Sequence, residues 1–395
     1  MRHYHSALGL AAEVRPAQPV TLLRPHAARR AARYFVEKFP GTALYAVKSN
    51  PSPELIRLLW ESGITHFDVA SLKEVRLVRA NAPQATLCFM HPVKAPEAIA
   101  EAYFEHGVRT FSLDSHEELA KIVAATNGAT DLTLCVRLRV SSGHSKLSLA
   151  SKFGVSVEDS APLLMAARQA ADALGVCFHV GSQAMSPQAY ADAMALVRAA
   201  IVQAGVTVDV VDVGGGFPSI YPGMTPPDMA SYFQVIKTHF EALPISYSAE
   251  LWCEPGRALC AEYASVVVRV ERRRGDVLYI NDGAYGSLFD AAHVDWRFPV
   301  RLLRDSSVKP VPFSFYGPTC DDMDFMRGPF ELPADVQPGD YVEIGMLGAY
   351  GAAMRTDFNG FQSDLTAIAD DAPMASAYAD AQPSHNIVTL VSEAR

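Results

Sequence analysis

"ALYAVKSNPSPELIRLLWESGITHFDVA", residues 43–70, contains the pattern that decides the fold. It begins with an apolar run of β-forming residues, continues through a stretch in which apolar residues recur at helical spacing, and ends with a second short apolar run. Prolines open the helical stretch and Gly63 closes it, as is common at the two ends of a helix. The segment therefore predicts a strand, a helix and a second strand, with the strands at 43–48 and 66–70.

The same alternation continues as far as residue 256. Further strand candidates lie at 86–90, 110–113, 132–140, 176–181, 208–215 and 250–256, and amphipathic stretches separate them. Eight strands that alternate with helices match a (β/α)8 barrel, whereas an open doubly wound sheet usually has about five or six strands. We therefore expect an α/β fold whose first domain is a TIM-like barrel over residues 22–260.

The composition of the chain changes after residue 260. Runs rich in valine, tyrosine and phenylalanine are now separated by glycine, proline and aspartate. This pattern predicts a C-terminal antiparallel β domain, a sandwich or barrel, over residues 261–395, with residues 1–21 added to it. The tail at 370–386 is small and polar, which is typical of a loosely held segment.

The overall composition excludes several classes of function. The chain has 34 basic and 43 acidic residues, a formal charge of -9 and no long basic run, so we expect no nucleic-acid partner. No apolar stretch reaches membrane-span length and no signal peptide is recognisable, so we expect a cytoplasmic protein without membrane contact. The six cysteines show no CxxC spacing, which predicts no disulfides, and the HxH at His3 and His5 is incidental, so no metal site is expected.

Polar residues stand at the predicted strand ends, where barrel enzymes build their sites. Lys48 ends the first strand and Glu254 the eighth, and these two strands are neighbours once the barrel closes. Other polar or glycine residues in equivalent positions are Asp68, Arg137, Arg139, His179, Ser182, Gly214, Gly215, Gly216 and Arg257. We expect these residues to surround one site.

The residue types indicate a cofactor. A lysine amine in a partly apolar site can attack a carbonyl and form a Schiff base, although a lysine at a strand end can also merely pair with a carboxylate. Three glycines in a row beside Arg257 offer backbone N–H groups and a fixed cation to a phosphate. An aldehyde cofactor with a phosphate is pyridoxal 5'-phosphate, for which Glu254 would face the ring nitrogen and His179, if not a core histidine, the ring.

Seven motifs in order extend this interpretation to a family. They are "YAVKSN", "HVGSQ", "DVGGGFP", "CEPGR", "NDGAYGSLFDAAH", "GPTCDDMD" and "GAYG", and they cover roughly residues 40–360. In these motifs the chain resembles the pyridoxal-phosphate-dependent ornithine/lysine/diaminopimelate decarboxylases of the alanine-racemase-like fold, and among them the ornithine decarboxylases. The resemblance implies decarboxylation of L-ornithine to putrescine, a polyamine precursor, with L-lysine to cadaverine as a second reaction.

The resemblance also implies roles for single residues. The family's lysine, glutamate and histidine that match Lys48, Glu254 and His179 bond to the aldehyde, pair with the ring nitrogen and stack on the ring. Its phosphate is held by residues matching Ser182, Gly214, Gly215, Gly216, Gly256, Arg257 and Tyr350. Residues matching Asp68 and Arg139 lie beside the cofactor, with Arg139 chosen over Arg137 because it keeps the family's spacing to Lys146.

A homodimer with shared sites is a further implication. The loop "GPTCDDMD" would reach into the partner's site, and Cys320 would return a proton to the carbon that has lost carbon dioxide. Asp290 and the partner's Asp321 would bind the distal ammonium of a diamino acid, although either can be an ordinary turn aspartate. Phe289 and Tyr285, from the same motif as Asp290, complete the predicted substrate pocket.

Several alternatives stay open in the sequence. A diaminopimelate decarboxylase would need a cation for its second carboxylate and usually has glutamate after the loop cysteine, where this chain has Asp321. Lysine is one methylene longer than ornithine, and one methylene provides only about 1–3 kcal/mol of discrimination between the two substrates. A racemase would need a tyrosine acid opposite the lysine, and a non-catalytic cofactor-binding relative would be expected to lack Lys48, Cys320 or the glycines. Asp322 stands where the family usually has a small residue, which would alter the distal pocket.

Overall fold

A computed structural model of the chain describes residues 1–140, 143–147 and 151–378. The chain divides into two compact units, residues 28–261 and residues 1–27 together with the chain from Glu262 onward. We describe each unit by itself as the barrel unit and the sheet unit. Residues 379–386 of the tail that was predicted to be loosely held lie outside the described residues.

The elements have the following bounds. The strands are β1 (Arg2–Tyr4), β2 (Val20–Leu23), β3 (Thr42–Ala46), β4 (His66–Val69), β5 (Thr86–Phe89), β6 (Thr110–Leu113), β7 (Thr133–Arg137), β8 (Ser145–Leu147), β9 (Ala173–Cys177), β10 (Ser182–Ala184), β11 (Val210–Asp212), β12 (Glu250–Cys253), β13 (Ala264–Arg274), β14 (Val277–Ile280), β15 (Val300–Leu302), β16 (Pro310–Tyr316), β17 (Phe325–Pro333), β18 (Tyr341–Ile344) and β19 (Thr366–Ala369). The α-helices are α1 (Ala7–Val14), α2 (Pro25–Lys38), α3 (Pro53–Glu61), α4 (Leu72–Asn81), α5 (Pro96–Phe104), α6 (His116–Ala125), α7 (Val157–Ala170), α8 (Gln188–Ala204), α9 (Met229–Glu241), α10 (Arg257–Cys260) and α11 (Phe289–His293). Short 3-10 helices occur at Val47–Ser49, Ala261–Tyr263 and Phe358–Gly360.

Eight parallel strands close into a barrel in the order β11, β12, β3, β4, β5, β6, β7 and β9. Each predicted strand region supplies one of them, which confirms the predicted (β/α)8 fold. Closure pairs the first and last strands, since β12 lies beside β3 with Cys253 opposite Ala43. The carboxyl ends of neighbouring strands therefore meet at one rim.

The barrel interior is filled by small thiols and larger apolar groups. Cys88, Cys135 and Cys177 are buried there with Leu44 and Trp252. The helices around the strands begin as their sequences predict, since Ser71 and Ser115 cap α4 and α6 by accepting the N–H of a residue three positions later. Within the part of the chain that the structure describes, no helix combines the length and the apolarity needed to cross a membrane.

The strands differ from their predicted bounds in two informative places. β9 begins at Ala173, inside a stretch whose alanine-rich pattern predicts a helix as far as residue 175. A Cβ on Gly175 would lie 2.5 Å from the Cys135 sulfur, so the close approach of β7 and β9 explains that glycine. β7 ends at Arg137, three residues earlier than predicted, because the following backbone pairs with Val155 instead.

The sheet unit is built around the long strand β13. It pairs antiparallel with β2, β14 and β18, and β16 pairs antiparallel with β17, which confirms the predicted antiparallel domain. The N-terminal β1 joins the same sheet by pairing parallel to β19. Inside it, the Glu343 carboxylate is buried between two guanidinium groups, 2.8 Å from Arg24 and 2.6 Å from Arg301. Hydrogen bonds from both cations compensate the burial of that charge.

Candidate active site

Lys48 and Asp68 meet at the rim of the barrel. β3 ends at Ala46, which pairs with Asp68 of β4, and the chain then turns through the 3-10 helix that carries Lys48. The Lys48 Nζ donates to Asp68 Oδ2 at 2.6 Å, and Asp68 is buried while the lysine side chain is 42% exposed. The structure thus holds a reachable amine at the carboxyl ends of the first two barrel strands.

Glu254 follows β12 and lies beside a second carboxyl group. Its N–H donates to Gly214 O at 2.8 Å, which ties the eighth strand to the glycine turn after the seventh. Burial raises the pKa of Glu254 well above its usual range, and the nearby Asp212 and Asp68 charges raise it further. Burial also raises the pKa of Asp212, although the Gly214 N–H bond opposes this. Burial therefore favours the protonated forms of these two neighbouring carboxyl groups.

The prediction from the sequence missed two acids of this rim. Asp212 stands two residues before Gly214 in "VVDVGGG", a position that could have been read as the end of the seventh strand. Glu74 lies in the first turn of α4 and accepts the Ala70 N–H at 2.6 Å. Burial raises the pKa of Glu74, and Asp68 adds to that effect while the backbone bond and Lys48 oppose it.

His179 is held as a neutral ring. Its Nδ1 accepts the Gly181 N–H at 3.0 Å, so that nitrogen carries no proton. Burial lowers the pKa of His179 well below its ordinary value, and the charges of Arg137 and Lys48 act in the same direction. A Cβ on Gly215 would lie 2.8 Å from His179 Nε2, so the imidazole lies directly against the glycine turn.

The three glycines form a turn that no side chain could share. Gly214 and Gly216 have φ values of 66° and 103°, and a Cβ there would come within 1.9 Å of Phe178 O and 2.6 Å of Gly181 O. Among the described residues, the N–H groups of Gly215, Gly216 and Phe217 have no hydrogen-bond acceptor. Free N–H groups in a tight turn are suited to bind an anion.

The remaining predicted phosphate residues of the barrel unit lie near this turn. Arg257 begins α10, is buried, and donates from Nη1 to Tyr221 OH at 3.1 Å. Ser219 follows the glycine turn closely in the sequence, and its hydroxyl donates to Arg257 O at 3.4 Å. Gly256 packs against Ser49, where a Cβ would lie 3.0 Å from the serine, and Ser182 is partly buried at the start of β10.

The structure favours Arg137 over Arg139 as the arginine that faces the site. Arg137 is half-buried, lies 5.5 Å from the centre of the Phe153 ring, and contributes to the low pKa of His179. Arg139 is exposed, and its backbone N–H donates to Val155 O at 2.8 Å. Because the strand ends at Arg137, the alternation of side chains no longer turns Arg139 inward. The role of Arg139 stays a prediction, and we propose Arg137 as the arginine beside the cofactor.

In the sheet unit, a short loop carries Cys320 and Asp321. Cys320 is the one exposed cysteine among six, all of which the described residues include, and its N–H donates to Asn359 Oδ1 at 3.2 Å. The Asp321 carboxylate accepts the Tyr285 hydroxyl, which lowers the pKa of Asp321, and Met323 N–H adds to that effect. Asp324 is buried and anchors the loop by accepting the Thr319 hydroxyl at 2.8 Å.

The other predicted residues of the sheet unit are placed as follows. Asp290 and Phe289 are half-buried on α11, where the Phe289 ring lies 4.4 Å from the ring of His293. Tyr350 is half-buried with a φ of 62° in the turn after β18. The roles proposed for these three residues stay predictions.

One group of possible metal ligands occurs among the described residues. Glu101, Glu105 and His106 place ligand atoms within 4.8 Å of one another at the end of α5. The Glu101 carboxylate already receives two hydrogen bonds of 2.6 Å from Arg76. The group therefore reads as a surface ion pair.

Family comparisons agree with this geometry. The pyridoxal binding domain of pyridoxal-dependent decarboxylases matches residues 26–261, and their C-terminal sheet domain matches residues 178–348. The chain is a pyridoxal-dependent decarboxylase family member. The first match spans the whole barrel, and the cofactor of this family is pyridoxal phosphate.

Relatives of this decarboxylase family member include enzymes with different substrates in their names. A lysine/ornithine decarboxylase of Selenomonas ruminantium is 32% identical over 84% of this chain and 84% of its own length. An ornithine decarboxylase of Cricetulus griseus is 31% identical over 83% and 75%, and antizyme inhibitor 2 of Xenopus laevis is 30% identical over 80% and 73%.

Solved structures of the family have the same fold. A lysine/ornithine decarboxylase of Vibrio vulnificus complexed with putrescine superposes with a TM-score of 0.77 at 29% identity, covering 93% of this chain and 99% of that one. An arginine decarboxylase of Paramecium bursaria Chlorella virus bound to agmatine gives 0.80 at 25% identity, covering 91% and 97%.

The barrel rim of this family member fits pyridoxal phosphate. Lys48 offers an amine for the aldehyde, the buried Glu254 carboxyl offers a partner for a ring nitrogen, and His179 offers a flat neutral face. The glycine turn forms a cradle that any Cβ would fill, beside a buried arginine. Each chemical group of the cofactor thus has a partner of matching type among these residues.

Proposed function

We propose that the chain decarboxylates L-ornithine to putrescine, and also L-lysine to cadaverine. Family membership supports the reaction class, and names among the relatives include both substrates. The observation that carries the choice of a diamino acid is the charged Asp321 beside Cys320. The Tyr285 hydroxyl lowers the pKa of Asp321. An ionised carboxylate at this place attracts a distal ammonium and repels the second carboxylate of diaminopimelate.

The residues of the barrel would hold the cofactor as follows. Lys48 would bond to the aldehyde, the glycine turn with Arg257 and Ser182 would hold the phosphate, and Gly256 and Tyr350 would contribute as the family resemblance implies. His179 stays neutral because of burial and the Gly181 bond, so it can stack on a ring without adding a charge. Asp68 and Arg137 would flank the cofactor, Asp68 through its bond to Lys48.

Glu254 would set the charge of the ring. Bound pyridoxal phosphate acts as an electron sink for the pair of electrons left when carbon dioxide departs. Burial raises the pKa of Glu254, and the charge of Asp212 adds to that effect, so its carboxyl would form a hydrogen bond with a ring nitrogen. Glu254 would therefore be the hydrogen-bond partner of that nitrogen when the cofactor is bound.

Residues of the sheet unit would bind the substrate and finish the reaction. Asp290 and Asp321, with Phe289 and Tyr285 beside them, would bind the distal ammonium. The bond from the α-carbon to the carboxylate breaks, carbon dioxide leaves, and Cys320 donates its thiol proton to the α-carbon. Cys320 is exposed, as a group that acts on a second chain must be before assembly. We propose a homodimer in which Cys320 and Asp321 serve the partner's barrel, and the cytoplasmic location stays a prediction.

Purified, cofactor-loaded protein should be tested for carbon dioxide release from ornithine, lysine, arginine and diaminopimelate, each at the same concentration. The proposal predicts turnover of ornithine and lysine at least about tenfold above that of diaminopimelate, because the latter would set a carboxylate against Asp321. Turnover of arginine alone or of diaminopimelate alone would contradict the proposed substrate. A cofactor-loaded protein without any turnover would favour a binding role. This outcome is tested because one relative is named antizyme inhibitor 2.

A further inference from the structure

Each of the three carbonyl groups of the glycine turn accepts one hydrogen bond. Gly214 O accepts the Glu254 N–H at 2.8 Å, and Gly216 O accepts the Ala184 N–H at 2.8 Å. Gly215 O accepts the Tyr190 hydroxyl at 3.0 Å. Two of these anchors are backbone groups of the barrel, whereas the third is the side chain of a helix residue, Tyr190 of α8.

Anchored carbonyls fix the direction of the next N–H groups. In a trans peptide the C=O of one residue and the N–H of the following residue point in opposite directions. The described residues have one cis peptide, between Gly328 and Pro329, so the peptides of the turn are trans. Each donor that anchors a carbonyl of the turn therefore directs the following N–H to the opposite side.

The bond from Tyr190 controls the central peptide. Its acceptor is Gly215 O, so the group that it directs is the N–H of Gly216, which has no acceptor among the described residues. A Cβ on Gly216 would lie 3.3 Å from the Tyr190 hydroxyl, which shows how closely the two approach. Without this bond the Gly215–Gly216 peptide has no anchor, and glycine residues rotate easily.

Tyr190 is itself rigidly held. It is fully buried, and its ring stacks on Phe217 with the centroids 5.1 Å apart. Tyr232 lies edge-on to it at 6.1 Å and donates its own hydroxyl to Ala184 O at 2.8 Å. A buried hydroxyl with one defined acceptor is a precise positioning device, because moving it would leave a polar group unpaired.

We propose that Tyr190 is a positioning residue that aims the Gly216 N–H at the cofactor phosphate. This inference rests on the proposed function, in which the phosphate binds at the glycine turn. It makes Tyr190 responsible for part of the preference for a phosphorylated cofactor over the same ring without phosphate.

The test compares two ligands on the apoprotein. Apoprotein of the wild type and of Tyr190→Phe is titrated with pyridoxal phosphate and with pyridoxal, and binding is followed by quenching of tryptophan fluorescence. The removed hydroxyl should weaken pyridoxal phosphate binding about tenfold and leave pyridoxal binding within about twofold, because only the phosphate meets the Gly216 N–H. Equal weakening of both ligands, or of neither, would overturn the proposal.

Two further variants keep the outcomes distinct. Tyr232→Phe removes a buried hydroxyl of the same aromatic cluster whose acceptor lies outside the glycine turn, and it should leave the ratio of the two affinities unchanged. Ser182→Ala tests the proposed phosphate site without involving Tyr190. A lower ratio for Ser182→Ala with a normal ratio for Tyr190→Phe refutes only the role of Tyr190. A normal ratio for both variants refutes the phosphate site and the positioning role together.

Discussion

The candidate site residues of the barrel unit and those of the sheet unit differ in their burial. In the barrel, burial displaces pKa values strongly, upward for Glu254 and downward for His179. In the sheet unit, Cys320 is exposed and Asp321 keeps its charge through a bond from Tyr285. Groups fixed in one protonation state are suited to hold a bound cofactor. Exposed groups on a loop are suited to contact a substrate or a partner chain. The difference supports a division of labour between cofactor binding and substrate recognition.

Lys48→Ala should have the largest effect on turnover, and it should act through cofactor binding in the barrel. We expect turnover to fall by about 10⁴-fold or more, with loss of the visible absorbance of the bound cofactor, because the amine that bonds to the aldehyde is gone. Carbon dioxide release and absorption spectra measure the two effects. Lys73→Ala, at an exposed lysine of α4, is the matched control and should behave as the wild type. A Lys48→Ala protein with normal colour and turnover would remove the basis of the comparison.

Cys320→Ala should separate the two tasks. Loss of the proton donor should lower kcat about 10²- to 10⁴-fold, while the absorbance and affinity of the bound cofactor stay unchanged. Single-turnover and steady-state kinetics with ornithine give the measurement. Met323→Ala, which changes an exposed residue of the same loop, serves as the control. If Cys320→Ala lost cofactor and turnover together, the division between the units would fail.

Arg137→Ala and Arg139→Ala form a pair that sharpens the account of the barrel. Arg137 lowers the pKa of His179 and faces the site, so its removal should weaken cofactor binding about tenfold or more. Arg139 is exposed, and its removal should change binding by less than about threefold. Fluorescence titration of the apoproteins compares them. The reverse order would restore the role that the spacing to Lys146 predicts for Arg139.

Glu254→Gln should have a smaller effect, on stability. Because burial raises the pKa of Glu254, the folded apoprotein keeps a proton that the unfolded chain loses from about pH 4.5 upward, and folding loses free energy as the pH rises. The variant has no such proton, so between pH 5 and 8 its stability should rise relative to the wild type by about 1 kcal/mol or more. Urea unfolding of both apoproteins measures this, with the exposed Glu61→Gln as control. A constant difference across this pH range would contradict the raised pKa.

Much of the fold could be predicted because its signals are local. Helical and strand periodicities are visible in short windows, and the closure of eight strands brings Lys48 and Glu254 to adjacent strands without knowledge of any contact. The antiparallel sheet followed from composition in the same way. The helix predicted at residues 173–175 was wrong, because strand pairing in the barrel overrides the helical propensity of these residues.

The details of the site depend on how deeply its side chains are buried and on contacts between residues far apart in the sequence. Whether Arg137 or Arg139 faces inward depends on where β7 leaves its ladder, which no spacing rule specifies. The pairing of Asp212 with Glu254 has consequences only because both are buried. Tyr190 lies on a helix 25 residues before the carbonyl that it anchors, and no motif connects the two.

The most direct test of the account is complementation between two inactive variants. Lys48→Ala and Cys320→Ala chains with different tags are co-expressed, and mixed assemblies are isolated by two successive affinity steps and assayed for carbon dioxide release from ornithine. If Cys320 serves the partner's barrel, each mixed dimer has one complete site, and turnover per dimer should reach about half that of the wild type. Mixed dimers no more active than the two parent variants would contradict the shared site.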